Sequence, residues 1–218
     1  MLRCGVLRAA LFDLDGLLID SEPLWRRSEV ELFETVGVTL TDAQCTETTG
    51  LRIDEVVRLR HREKPWASPS VEVLTARIVE KMIALVAAEA EAKPGVEHAL
   101  ATCEAAGLRM LVVSSSPTRL IEAALARLGV RHRFEGLVSA EHEPFGKPHP
   151  GVFLRAAESI GLSPLDCVVF EDSLNGVIAG KAARMRCIAV PERGDPRFAL
   201  ADRVLRSLEA LDADALRA

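Results

Sequence analysis

Phe12-Asp13-Leu14-Asp15-Gly16 sets two carboxylates directly after the short apolar run Ala9 to Phe12. Ligand sites of open α/β sheets gather at the carboxyl ends of strands, so a pair of acids placed there is suited to nucleophilic and acid–base work. Taken alone, Asp15-Gly16 would serve equally well to turn the chain. Three further run ends carry polar groups of other kinds. Ser114-Ser115-Ser116 precedes a helix led by Pro117 and offers hydroxyls and free N–H groups to a phosphate, or simply an N-cap serine with two spectators. Lys147, in Gly146-Lys147-Pro148-His149-Pro150, is a positive charge on a proline-stiffened loop, or a solvated turn lysine. Glu171-Asp172, in Phe170-Glu171-Asp172-Ser173-Leu174-Asn175-Gly176, adds two carboxylates, or caps a helix through Asp172 or Ser173. Carboxylate, hydroxyl, ammonium and carboxylate at four successive ends match the needs of phosphoryl transfer. These are a nucleophile, hard oxygen ligands for a divalent cation, and positive or hydrogen-bonding groups around the equatorial phosphate oxygens.

The elements that must carry these groups follow from the hydrophobic pattern. Ala9 to Phe12, Met110 to Val113, Val168 to Phe170 and Ile188 to Val190 are continuous rather than alternating apolar runs, as expected of strands covered on both faces, and Gly136 to Ser139 is a weaker fifth. Helical patterns lie between them, such as Thr118 to Leu128 before Gly129 and Val152 to Ile160 before Gly161. Alternating strand and helix predicts a doubly wound, mostly parallel, Rossmann-like α/β sheet. From about Ser21 to Ala92 the alternation stops. Leu24, Ser28, Glu31, Leu32 and Thr35 suit one helix ending before Gly37, and Val71, Leu74, Ile78, Met82 and Leu85 recur at helical spacing as the core stripe of a longer one. An all-helical insertion over residues 20–92 is therefore expected, with residues 1–19 and 93–218 forming the α/β core and the chain re-entering it near Lys93-Pro94-Gly95.

The bulk properties narrow the function classes. A chain of 218 residues, about half of them hydrophobic, accommodates one good-sized core and one modest second unit. A formal net charge of -5 argues against a nucleic-acid surface, and the basic cluster Arg58 to Lys64 is read as a solvated helix end. Five widely spaced cysteines (Cys4, Cys45, Cys103, Cys167 and Cys187) form no CxxC pair, so neither a disulfide framework nor a zinc site is expected; Cys167 and Cys187 sit in apolar runs as small hydrophobes. No stretch reaches the roughly 20 apolar residues of a bilayer span. The expectation is a cytoplasmic monomer that binds neither membrane nor nucleic acid.

The motifs FDLDG, SSS, GKPHP and FEDSLNG, with a helical insertion after the first strand, resemble the four signatures and the cap of the haloacid-dehalogenase-like hydrolase superfamily, over essentially the whole chain. Within it, DGLLIDSEPLW, GLRIDEVV, KPHPGVFL and EDSLNGVIAGKAARMRCIAVP are similar to the bacterial hexitol phosphatases, also described as 2-deoxyglucose-6-phosphate phosphatases.

That resemblance implies a phosphatase of small sugar or hexitol phosphates, of the 2-deoxyglucose 6-phosphate, mannitol 1-phosphate and sorbitol 6-phosphate type. By it, Asp13 attacks phosphorus and carries the aspartyl phosphate, and Asp15 gives a proton to the leaving alkoxide and then takes one from water. Mg²⁺ would be held by Asp13, the Asp15 carbonyl and Asp172, with Glu171 either a ligand or an orienting partner. Ser114 and Ser115 would bind phosphate and Lys147 would neutralise it. Cap residues Trp25 and Arg52 are candidates for reading the sugar; Trp25 could instead pack cap against core, and Arg52 could form a surface ion pair. The rivals are a β-phosphoglucomutase-like isomerase, whose cap histidine and second-phosphate arginine are replaced here by Trp25 and Ile53, and a non-catalytic sugar-phosphate-binding regulator. The intact set of Asp13, Asp15, Ser114, Lys147 and Asp172 weighs against the regulator.

Overall fold

Strand β1, Ala9–Phe12, is buried at every residue. Its alternate side chains serve two apolar layers: Ala10 and Phe12 enter one cluster, and Ala9 and Leu11 the other. A strand so placed must have neighbours on both edges. The structure, a computed structural model, describes residues 6–216, and Cys4 lies outside them. It shows β1 paired in parallel with β2, Arg109–Ser114, and with β4, Cys167–Glu171. With β3 (Gly136–Ser139), β5 (Arg186–Ala189) and β6 (Arg203–Val204), these make one six-stranded sheet in the order β3-β2-β1-β4-β5-β6, parallel throughout. Strand order reverses at β1, where such sheets open a crevice at their carboxyl ends. Phe12 stacks on Phe170 of β4 at a centroid separation of 4.5 Å and meets Phe134 edge-on at 6.0 Å, fixing the middle of the sheet. The apolar run that was expected to continue to Val190 stops being strand at Ala189, and Val190 instead donates its N–H to the Glu171 carbonyl. β6 was not expected at all, since its two residues are exposed and carry no apolar run.

Helices α5 (Val96–Ala105), α6 (Thr118–Leu128), α7 (Gly151–Ser159) and α8 (Leu174–Ala182) connect the strands. Between β1 and α5 come four others, named here in order of size: the 19-residue Val71–Glu89, Glu22–Glu34, Ile53–Glu63 and the short Asp42–Glu47. In chain order we label α1 Glu22–Glu34, α2 Asp42–Glu47, α3 Ile53–Glu63 and α4 Val71–Glu89. They share an apolar cluster of their own, with Phe33, Val57, Leu74 and Ile78 fully buried. The stripe on α4 runs Leu74, Ile78, Met82 and Val86, each four residues on; Val86 rather than Leu85 takes the last place, and Met82 and Val86 join the core beside the sheet. On α1, the buried face is Leu24, Ser28, Glu29 and Phe33, while Thr35 lies beyond the helix. The basic run Arg58 to Lys64 is not wholly solvated. Arg60 is only 2% exposed, because its guanidinium donates to the Gln44 carbonyl and to Glu63 in the helical layer.

The chain passes between the two regions at two adjacent places. Ile19 bridges to both Asp15 and Ala92, and the Lys93 N–H donates to the Leu18 carbonyl.

Candidate active site

Asp13, Ser114 and Glu171 stand at the carboxyl ends of β1, β2 and β4, three strands adjacent in the sheet. Lys147 arrives from the loop before α7 and is 1% exposed; its Nζ donates to Asp13 Oδ1 and Glu171 Oε1 at 2.6 Å each and to the Val113 carbonyl at 3.2 Å. All three of its protons are thereby used. Burial opposes the ammonium charge, but the two carboxylates outweigh it and hold the lysine above its ordinary range. Burial, reinforced by Glu171 and Asp15 against the pull of Lys147, pushes the Asp13 carboxyl well above the usual carboxylate range. Asp172 is raised by burial and then by Asp13 and Glu171.

One oxygen each from Asp13, Glu171 and Asp172 lies within 4.8 Å of the others. Three crowded carboxylates against a single lysine leave surplus negative charge in a desolvated place, and hard oxygen donors of this kind suit a small divalent cation. Two glycines permit the crowding. Gly16 has φ +78, and a Cβ there would collide with the Asp172 carboxylate; a Cβ on Gly176 would collide with that of Glu171. Ser173 caps α8 and also donates its N–H and hydroxyl to Glu171 Oε2, so the capping role considered for it coexists with one in the acidic cluster.

Asp15 collects four donors. Ser21 Oγ (2.8 Å) and Trp25 Nε1 (2.9 Å) reach its Oδ1, while Ser116 Oγ (2.7 Å) and Ser114 Oγ (3.3 Å) reach Oδ2. Trp25 thus reaches from the helical layer to the second acid of the strand-end pair. Ser115 instead donates to the Gly50 carbonyl. Pro117, not Ser116, occupies the N-cap position of α6. Ser116, the third residue of the serine run, and Ser21, to which the sequence motifs assign no role, join the site as neighbours of Asp15.

A cavity opens above these groups, walled by Asp13, Asp15 and Ser114 below and by Trp25, Leu51 and Val56 above. Ser115 also lines it, whereas Arg52 does not. The Arg52 guanidinium binds Asp54 and donates to the carbonyls of Ala140 (3.0 Å) and Glu143 (2.6 Å), and Glu55 accepts from the Gly146 N–H at 2.9 Å. Both grip the loop that leads into Lys147. The wall of the cavity formed by α1 bears Glu22, Arg26 and Glu29, to which the sequence motifs assign no role, and Glu22 is near enough to Asp15 and Asp172 to feel their charge.

A parallel sheet with acids, a lysine and serines gathered at its switch point, roofed by a helical insertion, is an arrangement suited to hydrolytic phosphoryl chemistry. The haloacid dehalogenase-like hydrolase model matches residues 7–184, and the chain belongs to that family. Among curated relatives it is 46% identical over 209 residues to hexitol phosphatase B of Escherichia coli K12, covering 94% of each chain, and the enzyme class it shares with such relatives is that of phosphatases. Among solved structures it resembles CbbY of Rhodobacter sphaeroides with phosphate bound (TM-score 0.87, 28% identical, covering 97% of this chain and 99% of that one). A variant of the same protein holding xylulose 1,5-bisphosphate superposes with a TM-score of 0.89 at 28% identity, covering 98% and 100%. No helix among the described residues is long and apolar enough to cross a membrane. Cys45, Cys103, Cys167 and Cys187 are free thiols, the last three buried.

Proposed function

We propose that the chain is a Mg²⁺-dependent phosphatase of small sugar or hexitol monophosphates that works through an aspartyl phosphate on Asp13. The observation that carries this is the pairing of Asp13 with Lys147 at 2.6 Å, with Asp15 two residues on held by serine and tryptophan donors at the cavity floor. An unprotonated Asp13 oxygen forms a bond to phosphorus as the ester P–O bond breaks, and Asp15 delivers a proton to the departing alkoxide oxygen. Asp15 then takes a proton from the water that cleaves the acyl phosphate and frees Asp13. Ser114 and the Ser115 N–H hold phosphate oxygens, and Lys147 neutralises both nucleophile and phosphate. Asp13, the Asp15 carbonyl and Asp172 would hold Mg²⁺, with Glu171 orienting the arrangement; when bound, the ion supplies positive charge to the transferring group.

The helical layer excludes bulk water. The seam to the core includes Ser115 to the Gly50 carbonyl, Asn175 to the Thr49 carbonyl at 3.1 Å, and the Arg52 and Glu55 contacts to residues 140–146. Arg52 therefore acts in this reading as a latch rather than a reader of sugar. Trp25, which presents an indole N–H to Asp15 where the mutases have a titratable histidine, supports hydrolysis over isomerisation.

The test is phosphate release by purified protein with Mg²⁺ or EDTA, across 2-deoxyglucose 6-phosphate, mannitol 1-phosphate, sorbitol 6-phosphate and β-glucose 1-phosphate. Mg²⁺-dependent release favouring the first three supports the proposal. Conversion of β-glucose 1-phosphate to glucose 6-phosphate without net release would replace it with the mutase reading.

A further inference from the structure

Glu22, Trp25, Arg26 and Glu29 lie at i, i+3, i+4 and i+7 on α1, one face of the helix, and all four line the cavity. Trp25 is engaged with Asp15, and Arg26 lies 3.8 Å from Asp42. Among the described residues, Glu22 accepts only a long hydrogen bond, from Thr49 Oγ1 at 3.5 Å. Glu29 is different. It is 8% exposed, it lines the cavity, and its carboxyl group takes no hydrogen bond from any described residue. A carboxylate that keeps an edge on the cavity and takes no donor from the protein is open to accept hydrogen bonds from a ligand. Folded chains tolerate such a group where a ligand supplies the donors. Both Glu22 and Glu29 are pushed up to about 7, foremost by burial.

Taking the phosphatase reading as its basis, we infer that Glu29 is the specificity residue for the end of the substrate remote from the reacting phosphate. It accepts hydrogen bonds from hydroxyl groups of an uncharged polyol tail and disfavours any substrate bearing a second phosphate there. A hydroxyl is a donor that satisfies a carboxylate directly. A phosphate is mostly dianionic at neutral pH and offers chiefly acceptors, and it would face two acids with one guanidinium 3.8 Å from Asp42. The Arg26 Nε, moreover, is sealed from the cavity water and has no partner of its own. The wall thus distinguishes this chain from a site built for a bisphosphate such as the one held by the Rhodobacter relative.

The experiment compares mannitol 1-phosphate, mannitol 1,6-bisphosphate and acetyl phosphate, the last too short to reach the wall. In Glu29→Ala, the ratio of kcat/KM for mannitol 1-phosphate to that for acetyl phosphate should fall at least about tenfold, the loss expected for a hydrogen bond to a charged group. In the isosteric Glu29→Gln, discrimination against the bisphosphate should shrink. A ratio unchanged in Glu29→Ala, or a preference for the bisphosphate in the unmodified protein, overturns the inference. A parallel calorimetric titration of mannitol 1-phosphate and of inorganic phosphate into Asp13→Asn, with and without Glu29→Gln, separates the two proposals. Weakened sugar-phosphate binding with phosphate binding retained supports the wall even if the unmodified protein releases no phosphate. Equal effects on both ligands overturn it.

Discussion

Replacing Glu29 by glutamine should stabilise the metal-free protein by about 3 kcal/mol at pH 8 and by less than about 1 kcal/mol at pH 5. The carboxyl group on α1 is buried and meets Glu22 from its own helix, Arg60 from α3 and Cys45 from α2, and burial and Glu22 outweigh Arg60 to bring it from 4.5 to about 7. The folded protein therefore holds this proton more tightly than the unfolded chain does. Below pH 4.5 both states are protonated and the group costs nothing; between 4.5 and 7 the unfolded state ionises first, so stability falls as pH rises; above 7 the loss is complete. A rise of this size corresponds to about 3 kcal/mol, at about 1.4 kcal/mol per pH unit. Glutamine keeps the shape and cannot ionise. At roughly 2–4 °C per kcal/mol for a chain of this length, Glu29→Gln should raise Tm at pH 8 by about 6–12 °C. Scanning calorimetry in EDTA, without phosphate, at pH 5, 6, 7 and 8 measures the difference directly. The same Tm change at every pH would refute the reasoning, since an effect independent of proton binding could not come from this titration.

Trp25→Phe keeps the ring and removes the N–H from Asp15 Oδ1. Turnover of an alkyl phosphate should fall about tenfold or more, the scale of one hydrogen bond to a charged group, and that of acetyl phosphate, whose leaving group needs little protonation, should fall less. Asp13→Asn should abolish turnover while far-UV circular dichroism stays unchanged. Lys147→Met leaves Asp13 and Glu171 buried without their cation and should lower stability by about 3–5 kcal/mol, with Mg²⁺ restoring part of the loss in calorimetric scans. Equal Tm for Lys147→Met and the unmodified protein would mean that the lysine is not holding the two acids.

The strand ends were legible because their chemistry is local. Asp13 and Asp15, the serine run, Lys147 and Glu171-Asp172 each follow an apolar run or a stiff loop, and a parallel sheet brings such ends together whatever lies between. The α1 wall was not legible. Glu22 and Glu29 read as ordinary acids of an exposed helix, and only the tertiary packing of the helical layer and the sheet around α1 buries them; their heptad spacing with Trp25 and Arg26 is the available signal. Arg60 was hidden likewise in a run that looks solvated. Arg52 was noticed, but local sequence could not show that backbone carbonyls of residues 140 and 143, far along the chain, would take its guanidinium.

Those carbonyls give the seam a particular economy of information. Ser115 binds the backbone of Gly50, Asn175 that of Thr49, Arg52 that of Ala140 and Glu143, and Glu55 that of Gly146. In each bond one partner is main chain, which every residue type carries. Four side chains thus encode this part of the closed arrangement, and the opposing Thr49, Ala140 and Glu143 can change side chain without unfastening it, whereas Gly50 and Gly146, where a Cβ would collide with Ser173 and Glu55, cannot. Substrate range can then diverge by substitution inside the cavity while the mechanical act of closing is inherited intact.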